Sequence, residues 1–260
     1  MPEQVKTLIM KFGGASVKTP ENFAHIAKLV IQRSSQYPRI AIVVSAMGGM
    51  TDQLITLAHQ VHPTPPRREY DMLVSVGERI SISLLAMALA AQGREAVSFT
   101  GSQSGIITSA EHTEARIIDV RPYRLLPHLE SEKFVIIAGF QGVSSEKEIT
   151  TLGRGGSDTT AVALGIALRA EKVEFYKDVA GIFEQDPKLH THTPIYPSLS
   201  HEDALIVVKR TGGRVLHPRS IELAQKNGMP LHIRSFYAME GPGTLIGTKE
   251  PKNPFPVYEA

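Results

Sequence analysis

Apolar positions along the chain follow two rhythms. Short apolar runs predict strands at residues 8–12, 39–45, 96–100, 133–138, 173–176 and 230–233, and the β-branched, nearly continuous run at 39–45 has the pattern of a strand covered on both faces. Between them, apolar residues recur at helical spacing over 54–61, 71–92, 158–169, 201–209 and 220–227, with a weaker stretch at 125–130. Another helix opens at Thr19-Pro20-Glu21, with Thr as N-cap, Pro at the first helical position and an acid in the first turn. Its Phe23, Ile26, Ala27, Val30 and Ile31 share one face. Residues 143–151 alternate around a polar Ser-Ser-Glu-Lys and predict a β-hairpin, while His62-Pro63-Thr64-Pro65-Pro66 predicts a stiff loop. Strands alternating with helices predict an α/β fold: a mainly parallel sheet with helices on both faces.

Composition narrows the picture. A chain of 260 residues, 42% of them hydrophobic, can bury the core of one large domain or of two joined lobes. No internal repeat and no long linker divides it. The 28 Lys and Arg against 26 Asp and Glu leave a net charge of +2 with both signs mixed, which gives no electrostatic case for nucleic acid or membrane as the main partner. The absence of cysteine excludes disulfides and thiolate metal sites. The longest apolar run, 80–91, is too short to span a bilayer, and the N-terminal residues hold no apolar stretch of signal-peptide length. A cytoplasmic globular protein is the expectation.

Ligands of open α/β sheets collect beyond the carboxyl ends of the strands, and three such junctions stand out. Lys11-Phe12-Gly13-Gly14-Ala15-Ser16 puts a lysine at the end of the first strand beside two glycines that let the backbone approach an anion. It matches neither a Walker A loop nor a dinucleotide fingerprint, and a plain glycine turn with a surface lysine is the competing reading. Thr151-Leu152-Gly153-Arg154-Gly155-Gly156-Ser157-Asp158 leads into an Ala/Leu-rich helix, where free N–H groups and the dipole favour anions and Arg154 can hold a carboxylate through two parallel hydrogen bonds. Capping by Ser157 or Asp158 would explain one residue and leave Arg154 and the glycines unexplained. The third junction runs from Lys177-Asp178 through Phe183 to Asp186-Pro187-Lys188, an apolar wall with nearby cations that would suit a nucleotide and that, taken alone, reads equally as a turn-rich loop. Glu78 lies within an apolar helix, where a carboxylate needs a partner; Arg79 or another structural cation is the commoner outcome and a substrate ammonium the sharper alternative. His59 with His62 and His190 with His192 lack a third convergent ligand, so solvated loops are expected there rather than a metal site.

In order along the chain, KFGGAS at 11–16, VVSAMGGMTDQL at 43–54, SVGERIS at 75–81, SFTGSQSGIIT at 98–108, AGFQGV at 138–143, TLGRGGSDTTAVALG at 151–165, DVAGI at 178–182, VLHP at 215–218 and PGTLI at 242–246 resemble the catalytic domain of aspartokinases, in the amino-acid kinase superfamily. The resemblance implies a three-layer αβα sandwich around an eight-stranded, mainly parallel sheet. An amino-acid lobe would span about residues 1–170 and a nucleotide lobe about 171–250. It implies ATP-dependent phosphorylation of the L-aspartate side-chain carboxylate to 4-phospho-L-aspartate, the entry to lysine, diaminopimelate, methionine and threonine biosynthesis. Mg²⁺ would be held mainly by the ATP phosphates, with no protein metal site.

By the same resemblance, Lys11 spans the transferring group, Gly13 and Gly14 give N–H contacts, and Asp158 orients Lys11. Arg154, Gly155, Gly156 and Ser157 take a substrate carboxylate, Glu78 its ammonium, and Thr51 lines the substrate side. Ser45, Lys177, Asp178, Phe183, Asp186, Lys188 and Arg214 belong with the nucleotide. Lys177 stands where Thr or Ser is usual, Phe183 for a frequent Tyr and Arg214 for a usual Lys, while Gly49-Met50 replaces a polar pair. A kinase for another amino-acid carboxylate and a non-catalytic nucleotide-binding subunit remain alternatives. A homodimer through the N-terminal half is implied, with a separate regulatory chain left open. The family match ends near Ile246, which leads to the expectation of a catalytic unit without the paired ACT regulatory domains and without feedback control by lysine or threonine.

Overall fold

The computed structural model describes residues 5–185, 193–212, 215–238, 240–247 and 255–259. The chain runs through β1 (Thr7–Phe12), α1 (Pro20–Ser34), β2 (Arg39–Val44), α2 (Met50–Val61), α3 (Arg67–Val74), α4 (Val76–Ala90), β3 (Ala96–Phe99), β4 (Ile106–Thr108), β5 (Ile117–Val120) and α5 (Leu126–Glu130). It continues with β6 (Phe134–Ala138), β7 (Gln141–Ser144), β8 (Ile149–Thr151), α6 (Gly156–Ala167), β9 (Lys172–Lys177), β10 (Ser198–Leu199), α7 (His201–Arg210), α8 (Pro218–Asn227), β11 (Leu231–Ser235) and β12 (Thr244–Ile246).

Eight strands form one sheet in the order β10-β12-β11-β9-β1-β2-β6-β3. Every pairing in it is parallel except β11 with β12. The α/β class and the eight-stranded, mainly parallel sheet expected from the sequence are therefore present. Strand alternation sorts the layers. Leu8, Met10 and Phe12 of β1 pack with Phe23, Ile26 and Val30 of α1 and Ile82, Leu85 and Leu89 of α4, whereas Ile9 shares the opposite core with α6 and α8.

Several features depart from the sequence reading, among them the short strands β10 and β12 at one end of the large sheet, which the residue pattern does not predict. The helix expected over 71–92 is two helices that meet at the buried Ser75, whose carbonyl accepts a 2.9 Å bond from the Gln141 side chain. A side chain inserted at that carbonyl is a recognised cause of a helix break. By length and composition alone Arg67–Ala90 could cross a membrane; here it carries the buried Asp71 and Glu78 and packs its apolar face on the sheet. A second, four-stranded sheet, β5-β4-β7-β8, was not foreseen beyond its β7–β8 hairpin. Its strands are only three or four residues long, too short to establish a pattern. Finally, the helix expected from residue 158 begins at Gly156, with Gly155 as N-cap in the left-handed region and no side-chain cap, so capping does not explain Ser157 or Asp158.

Candidate active site

Two lysines and one aspartate meet at the carboxyl end of the sheet. In β1, Lys11 follows the parity of Ile9, and in β9, Lys177 follows the parity of Val173 and Phe175, so both side chains leave the sheet towards α6. Because β1 and β9 are hydrogen-bonded neighbours, the two ammonium groups arrive together over the first turn of α6. Lys11 Nζ lies 2.6 Å from Asp158 Oδ1, and Lys177 Nζ lies 3.3 Å from Asp158 Oδ2. Lys11 is only 4% exposed, which disposes of the surface-lysine alternative. Burial alone would raise the Asp158 pKa, but Lys11 and Lys177 hold it down to about 2. Burial pushes Lys177 down to about 8; Asp158 opposes that shift and Lys11 adds to it. The cluster carries an excess positive charge next to a helix N-terminus, an arrangement made for an anion.

Across the cleft stands Glu78, in the first turn of α4 and 3% exposed. Gly77 lets α4 come close: a Cβ there would lie 2.7 Å from the Ala46 methyl. Glu78 Oε1 consequently accepts the Ala46 N–H at 3.0 Å, while Oε2 is buried without a hydrogen-bond partner. Its partner is thus a backbone amide and not Arg79. Burial raises the Glu78 pKa to about 8 against the pull of the amide and of Lys11. A buried carboxylate oxygen lacking a donor is costly and fits a cationic ligand group.

Lys11, Gly14, Ser45, Thr51, Glu78, Gly155, Gly156, Ser157 and Asp158 line one cavity of about 380 Å³. A larger cavity of about 890 Å³ adjoins it, and Thr51, Phe140 and Gly153 border both. Arg154 lines the larger cavity and not the smaller one. Gly13 sits beside the Lys11 ammonium: a Cβ there would be 3.3 Å from Nζ.

Asp178 is exposed, Phe183 is half-buried and forms an isolated bridge with Ile195, and neither lines the two cavities. Asp186, Lys188, His190, His192 and Arg214 lie outside the described residues. His59 and His62 make local backbone bonds, to Pro63 O and from the Thr64 N–H. Among the described residues no group of three or more His, Asp or Glu stands ready to hold a metal ion.

Two residues that build the site escaped the sequence reading. Phe140, with a φ of +69°, borders both cavities, and its place directly after the end of β6 in the AGFQGV segment was the signal available. Asp71, fully buried on α3, accepts from Thr151 Oγ1 at 2.5 Å, the Thr113 N–H at 3.0 Å and His112 Nδ1 at 2.8 Å. It thereby secures the strand that feeds the arginine turn. Nothing in the local pattern marked it.

The family model for the amino acid kinase family matches residues 6–235. The chain is similar to the aspartokinase of Mycobacterium tuberculosis strain H37Rv, 46% identical over 240 residues that make up 92% of this chain and 56% of that protein. It therefore spans little more than half the length of that relative. Among solved structures, aspartate kinase from Synechocystis superposes with a TM-score of 0.86 at 40% identity, covering 98% of this chain and 42% of the other. E. coli aspartokinase III in complex with aspartate and ADP superposes with a TM-score of 0.81 at 25% identity, covering 95% of this chain and 66% of the other.

Proposed function

We propose, from the premise that this chain belongs to the amino acid kinase family, that it transfers the γ-phosphoryl group of ATP to the side-chain carboxylate of L-aspartate, giving 4-phospho-L-aspartate for the synthesis of lysine, diaminopimelate, methionine and threonine. One observation carries the reading. A buried Lys11–Asp158 pair at 2.6 Å faces, across one cleft, a buried glutamate with an unpartnered oxygen. The similarity to an aspartokinase structure holding aspartate and ADP supports the choice of substrates.

An aspartate side chain in water loses its proton near pH ~3.9, so the attacking carboxylate is ionised at neutral pH and no general base is required. The barrier lies in bringing two anions together and stabilising the charge on the phosphoryl group in flight. Lys11 neutralises that charge from the floor of the cleft, with the Gly13 and Gly14 backbone beside it, and Asp158 fixes the ammonium without acting as base. Glu78 Oε2 accepts from the substrate ammonium. Arg154, with Ser157 and the Gly155 and Gly156 amides, takes a substrate carboxylate, and Thr51 lines the same side. Lys177 and Ser45, with Asp178 and Phe183 beyond them, serve the nucleotide, as do Asp186, Lys188 and Arg214. Asp158 is committed to two ammonium groups, so Mg²⁺ would be held by the ATP phosphates and would supply charge neutralisation there. The lobe carrying Glu78 and Arg154, about residues 1–170, is the amino-acid side, and the remainder to about residue 250 the nucleotide side.

Trapping the acyl phosphate with hydroxylamine, with aspartate, glutamate and N-acetylglutamate compared side by side, tests this reading. Aspartyl hydroxamate alone is expected. Product from none of the three would remove the enzyme assignment, and preference for another acid would move the substrate. Titrating lysine and threonine into the same assay of the 260-residue chain tests the proposed lack of feedback control, for which unchanged rates are expected.

A further inference from the structure

The arginine turn is held at both ends by the start of one helix, and that helix is strapped by the far end of the chain. Leu152, just before the turn, donates its N–H to Phe140 O at 2.9 Å, and its carbonyl accepts from Arg219 Nη1 at 2.5 Å. Arg219 is the second residue of α8. Its Nη2 also donates to Ala115 O at 2.8 Å and to Glu259 Oε2 at 2.7 Å, and its Nε donates to Glu259 Oε1. At the other end of the turn, Gly155 presses on His217, the N-cap of α8: a Cβ at 155 would lie 2.2 Å from the imidazole Cγ.

Glu259 is itself fixed. Its Oε2 accepts the Ile117 N–H at 2.8 Å, and its own N–H donates to Ile117 O at 2.9 Å. Two residues earlier, Val257 exchanges a pair of hydrogen bonds with the Asn227 side chain at the end of α8, at 2.8 and 2.9 Å. A planar guanidinium can serve two carbonyls and a carboxylate at once, which a lysine ammonium cannot do in one plane. Without Glu259 the guanidinium would have water as an alternative partner, and its grip on Leu152 O would loosen.

We infer that Arg219, clamped by Glu259, is a positioning residue that sets the Gly153–Arg154 turn, and hence the affinity for the amino-acid substrate, while leaving phosphoryl transfer itself alone. The inference rests on Arg154 receiving a substrate carboxylate. Arg219 and Glu259 line the larger cavity together with Arg154 and do not line the smaller one that holds Lys11 and Asp158, so the effect should be confined to the amino-acid substrate.

Glu259→Ala, Glu259→Gln and Arg219→Lys in the 260-residue chain test it. The expected result is a KM for aspartate raised about tenfold in Glu259→Ala and Arg219→Lys and less in Glu259→Gln, with kcat and the KM for ATP within about twofold of the parent. An unchanged aspartate KM, or both KM values rising together as the protein loosens, would overturn it. Hydrogen exchange at the amides of residues 153–157 provides a readout independent of substrate identity. Exchange should quicken in Glu259→Ala and unchanged exchange overturns the strap, even if the parent chain makes no aspartyl hydroxamate and the functional reading itself has failed.

Discussion

Asp158 answers to two ammonium groups, and the two differ in what their loss should do. Removing Lys11 leaves the buried carboxylate paired with Lys177 at 3.3 Å, so the fold should survive while the cation nearest the transferring group disappears. Lys11→Ala is expected to lower kcat by roughly 10²–10³-fold with an unchanged thermal midpoint, read from initial rates and a melting curve on the same sample. Lys177 is charged below about pH 8 and neutral above it. Since kcat/KM reports groups of the free enzyme, kcat/KM for ATP should fall above that pH in the parent chain. Lys177→Thr should lose that limb and bind ATP more weakly below it.

Glu78, with its pKa raised to about 8, is mostly protonated at pH 7 when the cleft is empty. An arriving ammonium favours the ionised form, so aspartate binding should release a proton. Affinity should therefore climb with pH between about 6 and 8, by up to about tenfold per unit, and level off above. Calorimetry in buffers of different ionisation enthalpy measures the proton directly, and Glu78→Gln should abolish both the release and the slope.

At the scale of elements, the site exists because a strand, a turn and a helix are forced close. Gly155 combines a φ of +73° with a Cβ position 2.2 Å from His217, so an alanine there is strained by its backbone and by its neighbour together. Gly155→Ala should cost at least about 2 kcal/mol of stability and separate α8 from the start of α6. Urea denaturation and the aspartate KM should both register it. Parity along β9 places its charges on two faces. Lys177 looks to α6, while Glu174, wholly buried on the other face, meets Arg33 of α1 at 2.6 Å and Lys172 at 3.3 Å. One strand thus serves the cleft on one side and ties down a helix on the other.

For the whole molecule, an apolar face remains in solvent. Met72 of α3 and Val76, Ile80 and Met87 of α4 are 40%, 38%, 37% and 65% exposed, and Leu57 of α2 adds 52%. Their spacing puts them on one side of the broken helix, opposite the side that packs on the sheet. A second copy of the chain is the occupant we propose, consistent with the expected dimer through the N-terminal half. Light scattering should give twice the chain mass, and Ile80→Glu with Met87→Glu should halve it without loss of the fold. A monomeric parent chain at micromolar concentration would remove the proposal.

The order of the longer strands and of most helices was legible because buried strands read as apolar runs and amphipathic helices as periodic ones, so local composition alone determined the α/β class and the chemistry available at Lys11, Glu78 and the Arg154 turn. Sheet order is decided by which strands bury the most surface side by side. The pairing of β1 with β9 therefore has no local signature, and with it goes the sharing of Asp158 by Lys11 and Lys177. Asp71, Arg219 and Glu259 were invisible for the same reason: each matters only through hydrogen bonds shared with a segment distant in sequence. The chain's own order of residues determined what could react; long-range packing decided which groups face one another, since burial, and with it the shifted charges of Glu78 and Lys177, is a property of neighbours that sequence proximity does not supply.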